Sequence, residues 1–283
     1  MLIESGADFR RHFLTGYNGA MTEMDRDYSN TVSVIIPVYR LEKYIIETLD
    51  CIVAQTYKDW ELILVDDHSD DSSASLAEKY IADNELQDKA FIYHQTDEKG
   101  AASARNRGMR ESHGRYVAYL DGDDVWRADK LEKELAFIKD KDAAFVFTGY
   151  EFADANAVGM GKIVHVPATL NYRQALKNTT IFTSTVMFDT EKIPREKLMM
   201  PLIKSEDTAL WWRVLREGNI AYGLDENMVL YRRPGKNGQS LSSNKFEAIK
   251  RIWALYRKAE RLNIFVSAYY FCFWAFRAVL RRI

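Results

Sequence analysis

Between residues 31 and 120, apolar runs of strand length alternate with segments of helical period. No other feature limits the possible folds as strongly. Thr31–Val38 is a β-branched apolar run and predicts a buried strand. Leu41, Tyr44, Ile45, Thr48, Leu49 and Ile52 recur at helical spacing within Leu41–Gln55. Trp60–Val65 predicts a second strand, and Ser72–Asn84 a helix with Ser72 or Ser73 as its N-cap. Phe91–His94 predicts a short strand, Ala101–Ser112 a helix closed by His113-Gly114, and Tyr116–Leu120 a further strand. This order predicts a mostly parallel sheet with helices on both faces. Ligands of such sheets bind at the carboxyl ends of the strands. That rule selects three loops: Pro37–Arg40, Asp66–Asp71 and Asp121–Asp124.

The second half is less regular. Strands are expected at Ala143–Tyr150, Thr183–Phe188 and Val229–Arg232, with a hairpin arm at Lys162–Pro167. Helices are expected at Asp207–Arg216, Asn244–Arg261 and Ile264–Ile283. Residues 1–30 have no clear period and read as an extension before the fold. The 39 basic and 41 acidic residues nearly cancel, which argues against a nucleic-acid binder. No segment holds the roughly 20 apolar residues needed to span a bilayer. The start of the chain has an early acid, Glu4, and no apolar secretory core. With only Cys51 and Cys272, far apart and in apolar contexts, these features suit a reducing, cytoplasmic setting.

Asp121-Gly122-Asp123-Asp124 crowds three carboxylates into one turn at a strand end. Like charges this close raise one another's pKa unless a cation neutralises them. Mg²⁺ or Mn²⁺ shared with a substrate diphosphate would do so, and a solvated turn before a helix near Ala128 is the plainer alternative. Asp66-Asp67 ends a strand where a carboxylate accepts hydrogen bonds from a base or a ribose, or else forms an Asx-turn. The small residues of Gly100–Gly108 allow close helix packing or close ligand approach. Within them Arg105 either faces a diphosphate or partners the acidic loops, and Asn106 is placed to order loops. Ser205-Glu206-Asp207 opens a helix, either as favourable acids at its N-terminus or as a general base. Trp211 and Trp212 behind it either stack on a sugar or pack in the core. The basic, Gly-rich loop Tyr231–Ser242 is either a lid over phosphates or a plain surface loop.

Together these segments resemble family 2 glycosyltransferases of the GT-A fold. The resemblance rests on Val32–Tyr39, Val65–Ser69, Ala104–Gly108, Leu120–Asp124 and Glu206-Asp207, in that order. Tyr231-Arg232, Ser240–Ser242 and Trp253–Arg257 are similar to bacterial surface-polysaccharide members, including the teichuronic-acid type. The resemblance implies an inverting, metal-dependent transfer of a single sugar from a UDP-sugar to a hydroxyl of a glycan or an undecaprenyl-diphosphate-linked acceptor. It implies that Pro37, Tyr39, Asp66 and Asp67 line the nucleotide pocket, with Arg105, Arg232 and Ser240 also on the donor. Asp121 would approach the ribose, Asp123 would hold Mn²⁺ or Mg²⁺, and Asp207, with Glu206 beside it, would be the base. Trp211 would meet the acceptor. The chain would divide into an extension (1–30), a GT-A catalytic domain (31–235) and a C-terminal helical extension with a lid loop (236–283). Within the domain, 31–124 would be the nucleotide-binding half and 125–235 the acceptor half.

Two rival functions are a non-catalytic nucleotide-sugar or glycan-binding module and a sugar nucleotidyltransferase. The second is disfavoured because Pro37–Arg40 stands where such enzymes carry a Gly-rich loop. Residues 245–283 hold nine Lys and Arg against two Glu, around the aromatic run Phe265 to Phe276. That pattern suits a helix lying on an anionic membrane surface, at the inner face of the cell membrane. Packing on the catalytic domain, or against a second subunit in a homodimer, is the alternative.

Overall fold

The computed structural model describes residues 26–96, 98–178, 180–233 and 245–280. The expected extension therefore lies mostly outside the described residues, and so does Pro234–Asn244 of the expected lid loop. The first half follows the alternation of the sequence: β1 (Val32–Val38), α1 (Ile45–Val53), β2 (Trp60–Asp66), α2 (Ser73–Asp83), β3 (Ala90–His94), α3 (Ala101–Glu111) and β4 (Tyr116–Tyr119). A two-residue strand β5 (Val125–Trp126) and α4 (Lys130–Asp140) follow. The second half comprises β6 (Phe145–Ala153), β7 (Gly159–Val164), β8 (Thr169–Leu170), α5 (Tyr172–Ala175), β9 (Val186–Asp189), α6 (Glu206–Arg216) and β10 (Ala221–Arg232). Two helices end it, α7 (Lys245–Ala254), continued by a π-turn at Leu255–Ala259, and α8 (Ile264–Leu280).

All ten strands join one sheet, ordered β3-β2-β1-β4-β9-β6-β10-β5, with β7 on β6 and β8 on β10. β1 pairs in parallel with β2 and β4, and β2 with β3. The chain order reverses between β1 and β4, which opens a crevice at the carboxyl ends of those strands. β9 runs antiparallel to both β4 and β6, so the sheet is mixed. That reversal brings the start of β9, including the short 3₁₀ turn Thr183–Thr185, to the same edge as the end of β4. β10 pairs in parallel with β6, and its end at Arg232 also reaches this edge.

Both faces of the sheet are covered, which explains why β1 and β2 read as nearly unbroken apolar runs. Val34, Ile36, Leu62 and Leu64 pack with Ile45, Leu49 and Leu131 on one face. Ile35, Ile63 and Val65 pack with Ala104, Met109, Trp211 and Leu215 on the other. The small residues of α3 serve this packing: a Cβ on Gly108 would lie 2.4 Å from Cγ2 of Ile35. Along α8 the side chains divide. Ser267, Tyr270, Phe271 and Trp274 turn toward the protein, while Phe265, Tyr269, Phe273 and Phe276 are exposed. Among the described residues no helix is long and apolar enough to cross a membrane.

Candidate active site

The acidic turn after β4 is held in place from several sides. Thr48 of α1 donates its hydroxyl to the Gly122 carbonyl at 2.9 Å. Ser184, fully buried before β9, accepts from the Asp121 amide at 3.0 Å and donates to Asp124 at 2.6 Å. The Asp124 carboxylate also accepts the Arg232 amide at 3.1 Å. Asp124 therefore faces inward as a buried internal staple, and its pKa is raised by burial and by Asp123 and Asp121. A solvated turn before a helix therefore does not describe Asp124: it is buried, β5 follows it, and α4 begins only at Lys130.

Arg105 joins the turn to the start of α6. Its guanidinium, 7% exposed, donates to Asp121 at 2.5 Å and to Glu206 at 3.0 Å. Two carboxylates occupy it, so of the two sequence readings the structure supports partnership with the acidic loops. Its neighbour Asn106 makes a reciprocal pair with Met200, donating at 2.8 Å and accepting at 2.6 Å. Asn106 thus ties α3 to the segment just before the predicted base. Asp207 accepts its own helix's Thr208 amide at 2.6 Å and the Thr183 hydroxyl at 3.4 Å. Burial raises the pKa of Asp207 and of Glu206, and the Arg105 charge opposes the rise in each.

Asp123 is the exception in the turn. Its carboxyl is pushed up to about 6 by burial and by Asp121. Among the described residues no side-chain donor bonds it, although Arg232 donates to its backbone carbonyl at 2.6 Å. A half-buried carboxylate with no side-chain donor bonded to it fits a metal ligand. No group of three His, Cys, Asp or Glu side chains among the described residues is arranged to hold an ion alone. An ion at Asp123 would therefore need further oxygens from a substrate or water.

On the nucleotide side, Asp67 accepts the Gly100 amide at 2.7 Å. Gly100 has φ 120°, a left-handed conformation that a side chain would strain. Asp66 accepts the Ser69 amide at 3.2 Å and closes the Asx-type turn. Pro37, next to last in β1, lies near the turn, where a Cβ on Gly122 would lie 3.4 Å from its carbonyl. Tyr39 is half exposed at the rim, with the Arg40 guanidinium 5.2 Å from its ring centre. Arg40, His68 and Ser205 all have positive φ without being glycine, so three loops at this edge carry backbone strain.

Two expected contacts are corrected. Trp211 is 2% exposed, stacked on Phe188 and tilted against Phe145 in the core, which does not fit an acceptor contact. Arg232 is buried behind the turn and spent on Glu47, the Asp123 carbonyl and the Ala155 carbonyl. It braces the loop and does not face a diphosphate. Ser240 lies outside the described residues. Sequence reasoning missed Ser184, Thr183 and Glu47. Nothing local marks them, because the antiparallel turn of β9 and the long reach of Arg232 bring them to the site.

Comparison with known proteins bears on the family and the fold. Residues 33–191 match the profile of Glycosyl transferase family 2. The chain is 38% identical over 253 residues to the glycosyltransferase TuaG of Bacillus subtilis, assigned by its name to teichuronic acid biosynthesis. That alignment covers 89% of this chain and 97% of the relative. It is 33% identical over 223 residues to WfgD of Escherichia coli, a UDP-Glc:α-D-GlcNAc-diphosphoundecaprenol β-1,3-glucosyltransferase, covering 78% and 83%. Among solved structures, S. aureus TarS 1–349 in complex with UDP-GlcNAc superposes with a TM-score of 0.64 at 21% identity, covering 87% of this chain and 71% of that one. The mannosyltransferase PcManGT of Pyrobaculum calidifontis, with GDP-Man and Mn²⁺, superposes at 0.60 and 19%, covering 84% and 68%. These two likenesses bear on the fold.

Proposed function

The chain belongs to glycosyl transferase family 2 and is a glycosyltransferase, and on that premise we propose a specific reaction for it. It moves one sugar from a UDP-sugar to a hydroxyl of a glycan carried on a lipid diphosphate, in the building of a bacterial surface polysaccharide. The donor and acceptor classes follow the named activity of the Escherichia coli relative. The observation that carries the reading is the Arg105 bridge, which joins the acidic turn after β4 to the helix that opens with Glu206-Asp207.

In this reading the acceptor hydroxyl gives its proton to Asp207 as its oxygen bonds to the anomeric carbon. The bond from that carbon to the diphosphate breaks in line, and UDP leaves with the electron pair. An α-linked donor then yields a β-linked product. Burial raises the affinity of Asp207 for a proton, which suits a base working near neutral pH. Glu206 is engaged by Arg105 and acts as a positioning residue. Mg²⁺ or Mn²⁺ at Asp123, completed by donor oxygens, would neutralise charge developing on the leaving diphosphate. Asp67 and Tyr39, with Pro37 and Asp66 around them, form the nucleotide side.

Transfer from UDP-glucose to lipid-diphosphate-linked N-acetylglucosamine, measured with Mn²⁺, tests the assignment. Asp207→Asn should lower kcat by about 10²–10⁴-fold while UDP still binds. Near-normal turnover in that variant removes Asp207 as the base. Absence of wild-type transfer from every UDP-sugar removes the donor class.

The exposed stripe of α8 supports peripheral attachment to an anionic membrane at the cytoplasmic face. Phe265 is 84% and Phe276 63% exposed, beside Arg277. Phe265→Ser with Phe276→Ser should reduce flotation with phosphatidylglycerol vesicles, and unchanged flotation contradicts the attachment.

A further inference from the structure

A second concavity, of about 420 Å³, lies between α7, its π-turn and the segment that leads into α6. Lys204, Lys250, Arg251 and Lys258 line it, with Glu247 as the one acid and Ile203, Leu255 and two alanines as an apolar floor. None of these residues belongs to the acidic turn or the nucleotide loops. Glu247 lies 3.8 Å from Lys204 and 3.5 Å from Lys250, so one carboxylate is shared between two ammonium groups. The lining therefore keeps an excess of positive charge over an apolar base. That combination fits an amphiphilic anion better than a free sugar or a neutral peptide.

The position of the groove is as informative as its charge. Lys204 stands three residues before Asp207, and three residues of chain span at most about 11 Å. A phosphate on a sugar whose hydroxyl is presented to Asp207 would thus lie within reach of the Lys204 end of the groove. Past Ala259 the chain enters α8, whose first turn exposes Ile264 and Phe265. Charge near the base and apolar surface further out follow the order of parts in a sugar–diphosphate–lipid.

We infer that the groove lined by Lys204, Lys250, Arg251 and Lys258 is the acceptor subsite that holds the diphosphate of a polyprenyl-diphosphate-linked sugar. Its apolar floor and the start of α8 take the first isoprene units. The inference rests on the lipid-diphosphate acceptor proposed above and gives it a location. It does not depend on the identity of the donor or of the base.

Binding of farnesyl diphosphate to the full chain, with UDP and Mn²⁺ saturating the donor side, tests it. The triple variant Lys204→Gln, Lys250→Gln, Lys258→Gln should weaken this binding at least tenfold. The matching triple Lys→Arg variant should bind like the wild type. Binding should weaken with added salt, because the lysines are exposed. Inorganic pyrophosphate should bind more weakly than farnesyl diphosphate. With lipid-linked acceptor, the KM of the Gln variant should rise by a similar factor. Equal farnesyl diphosphate binding by wild type and the Gln variant overturns the subsite. Equal affinity for pyrophosphate and farnesyl diphosphate overturns the lipid part. Loss of vesicle binding with farnesyl diphosphate binding intact makes the groove a bilayer contact and also overturns it. A failure of Asp207→Asn to impair transfer would leave these binding results unaffected, so the two readings fail separately.

Discussion

Removing Arg105 tests the architecture of the site most directly. The guanidinium is buried between Asp121 and Glu206, whose side chains are 23% and 21% exposed, and its charge also acts on Asp207 and Asp123. Arg105→Ala deletes one cation and leaves several carboxylates crowded in a poorly hydrated crevice. Breaking a buried pair from one side costs about 3–5 kcal/mol, because the remaining charge loses both water and partner. The pH dependence is specific. Burial already holds Glu206 and Asp207 above their ordinary values, and without Arg105 they rise further. A carboxyl whose folded pKa exceeds its unfolded one destabilises the fold at high pH and ceases to do so as it protonates. The deficit of Arg105→Ala should therefore be largest at pH 8 and shrink toward pH 5.

The assay is urea unfolding at those two pH values on metal-free protein, paired with a pH–rate profile. The acidic limb of the rate profile should move up by about one pH unit, since a nearby opposite charge lowers a carboxyl by roughly 1–3 units. Arg105→Lys should recover part of both effects: it keeps the charge but loses the fork that reaches two carboxylates. A deficit below about 1 kcal/mol at pH 8 would refute the reasoning, given the cost expected for a broken buried pair. A deficit that does not change with pH would refute it equally.

Two further outcomes follow from neighbouring residues. Asp123 has a carboxyl raised from 3.8 to about 6, so its ionised form weighs against the metal-free fold above that pH. Asp123→Asn should stabilise metal-free protein by about 1–3 kcal/mol at pH 8, with the gain vanishing below about pH 4, while abolishing any rise in melting temperature on adding Mn²⁺; a Mn²⁺ response that survives in this variant contradicts Asp123 as the ligand. Trp211→Ala should cost about 3–5 kcal/mol in thermal or urea unfolding, as expected for a large core truncation, and Trp211→Phe much less. A stable Trp211→Ala protein with a raised acceptor KM would restore the acceptor role that its burial denies.

How much was legible in the sequence depended on whether the relevant contact was local. The alternation of β1 through β4 depends on apolar periodicity over a few residues, so these elements fell within a residue or two of their predicted ends, except that α1 begins at Ile45, four residues after the expected Leu41. The family reading was equally accessible, because Asp121–Asp124 and Glu206-Asp207 are short and ordered along the chain. The family match also removes the nucleotidyltransferase alternative. Roles that depend on which way a side chain turns were not legible. Trp211 and Trp212 occupy helix positions that a sequence can place on either face, and both enter the core. Arg232 ends a strand beside a ligand loop, yet its partner Glu47 lies 185 residues earlier. The stretch predicted as strand from Thr183 begins as a 3₁₀ turn, and that irregular start lets Ser184 reach both Asp121 and Asp124.

The small-residue stretch before Gly108 shows why a short motif can report on a whole site. α3 is preceded by its N-cap Gly100, whose amide holds Asp67 of the nucleotide loop. One turn on, Arg105 reaches Asp121 and Glu206, and Asn106 fixes the Met200 segment that leads to Asp207. At its far end Gly108 lets the helix sit against Ile35 of β1. One eleven-residue helix and its N-cap glycine therefore hold three loops that the chain supplies at positions near 67, 121 and 200–207. Helices are stiff over this length, so moving one loop relative to another requires either breaking a buried ion pair or shifting α3 on the sheet. The acidic turn and the proposed base are thus fixed against each other by the core rather than by substrate. Substrates arriving at such a site would meet carboxylates that are already held in place.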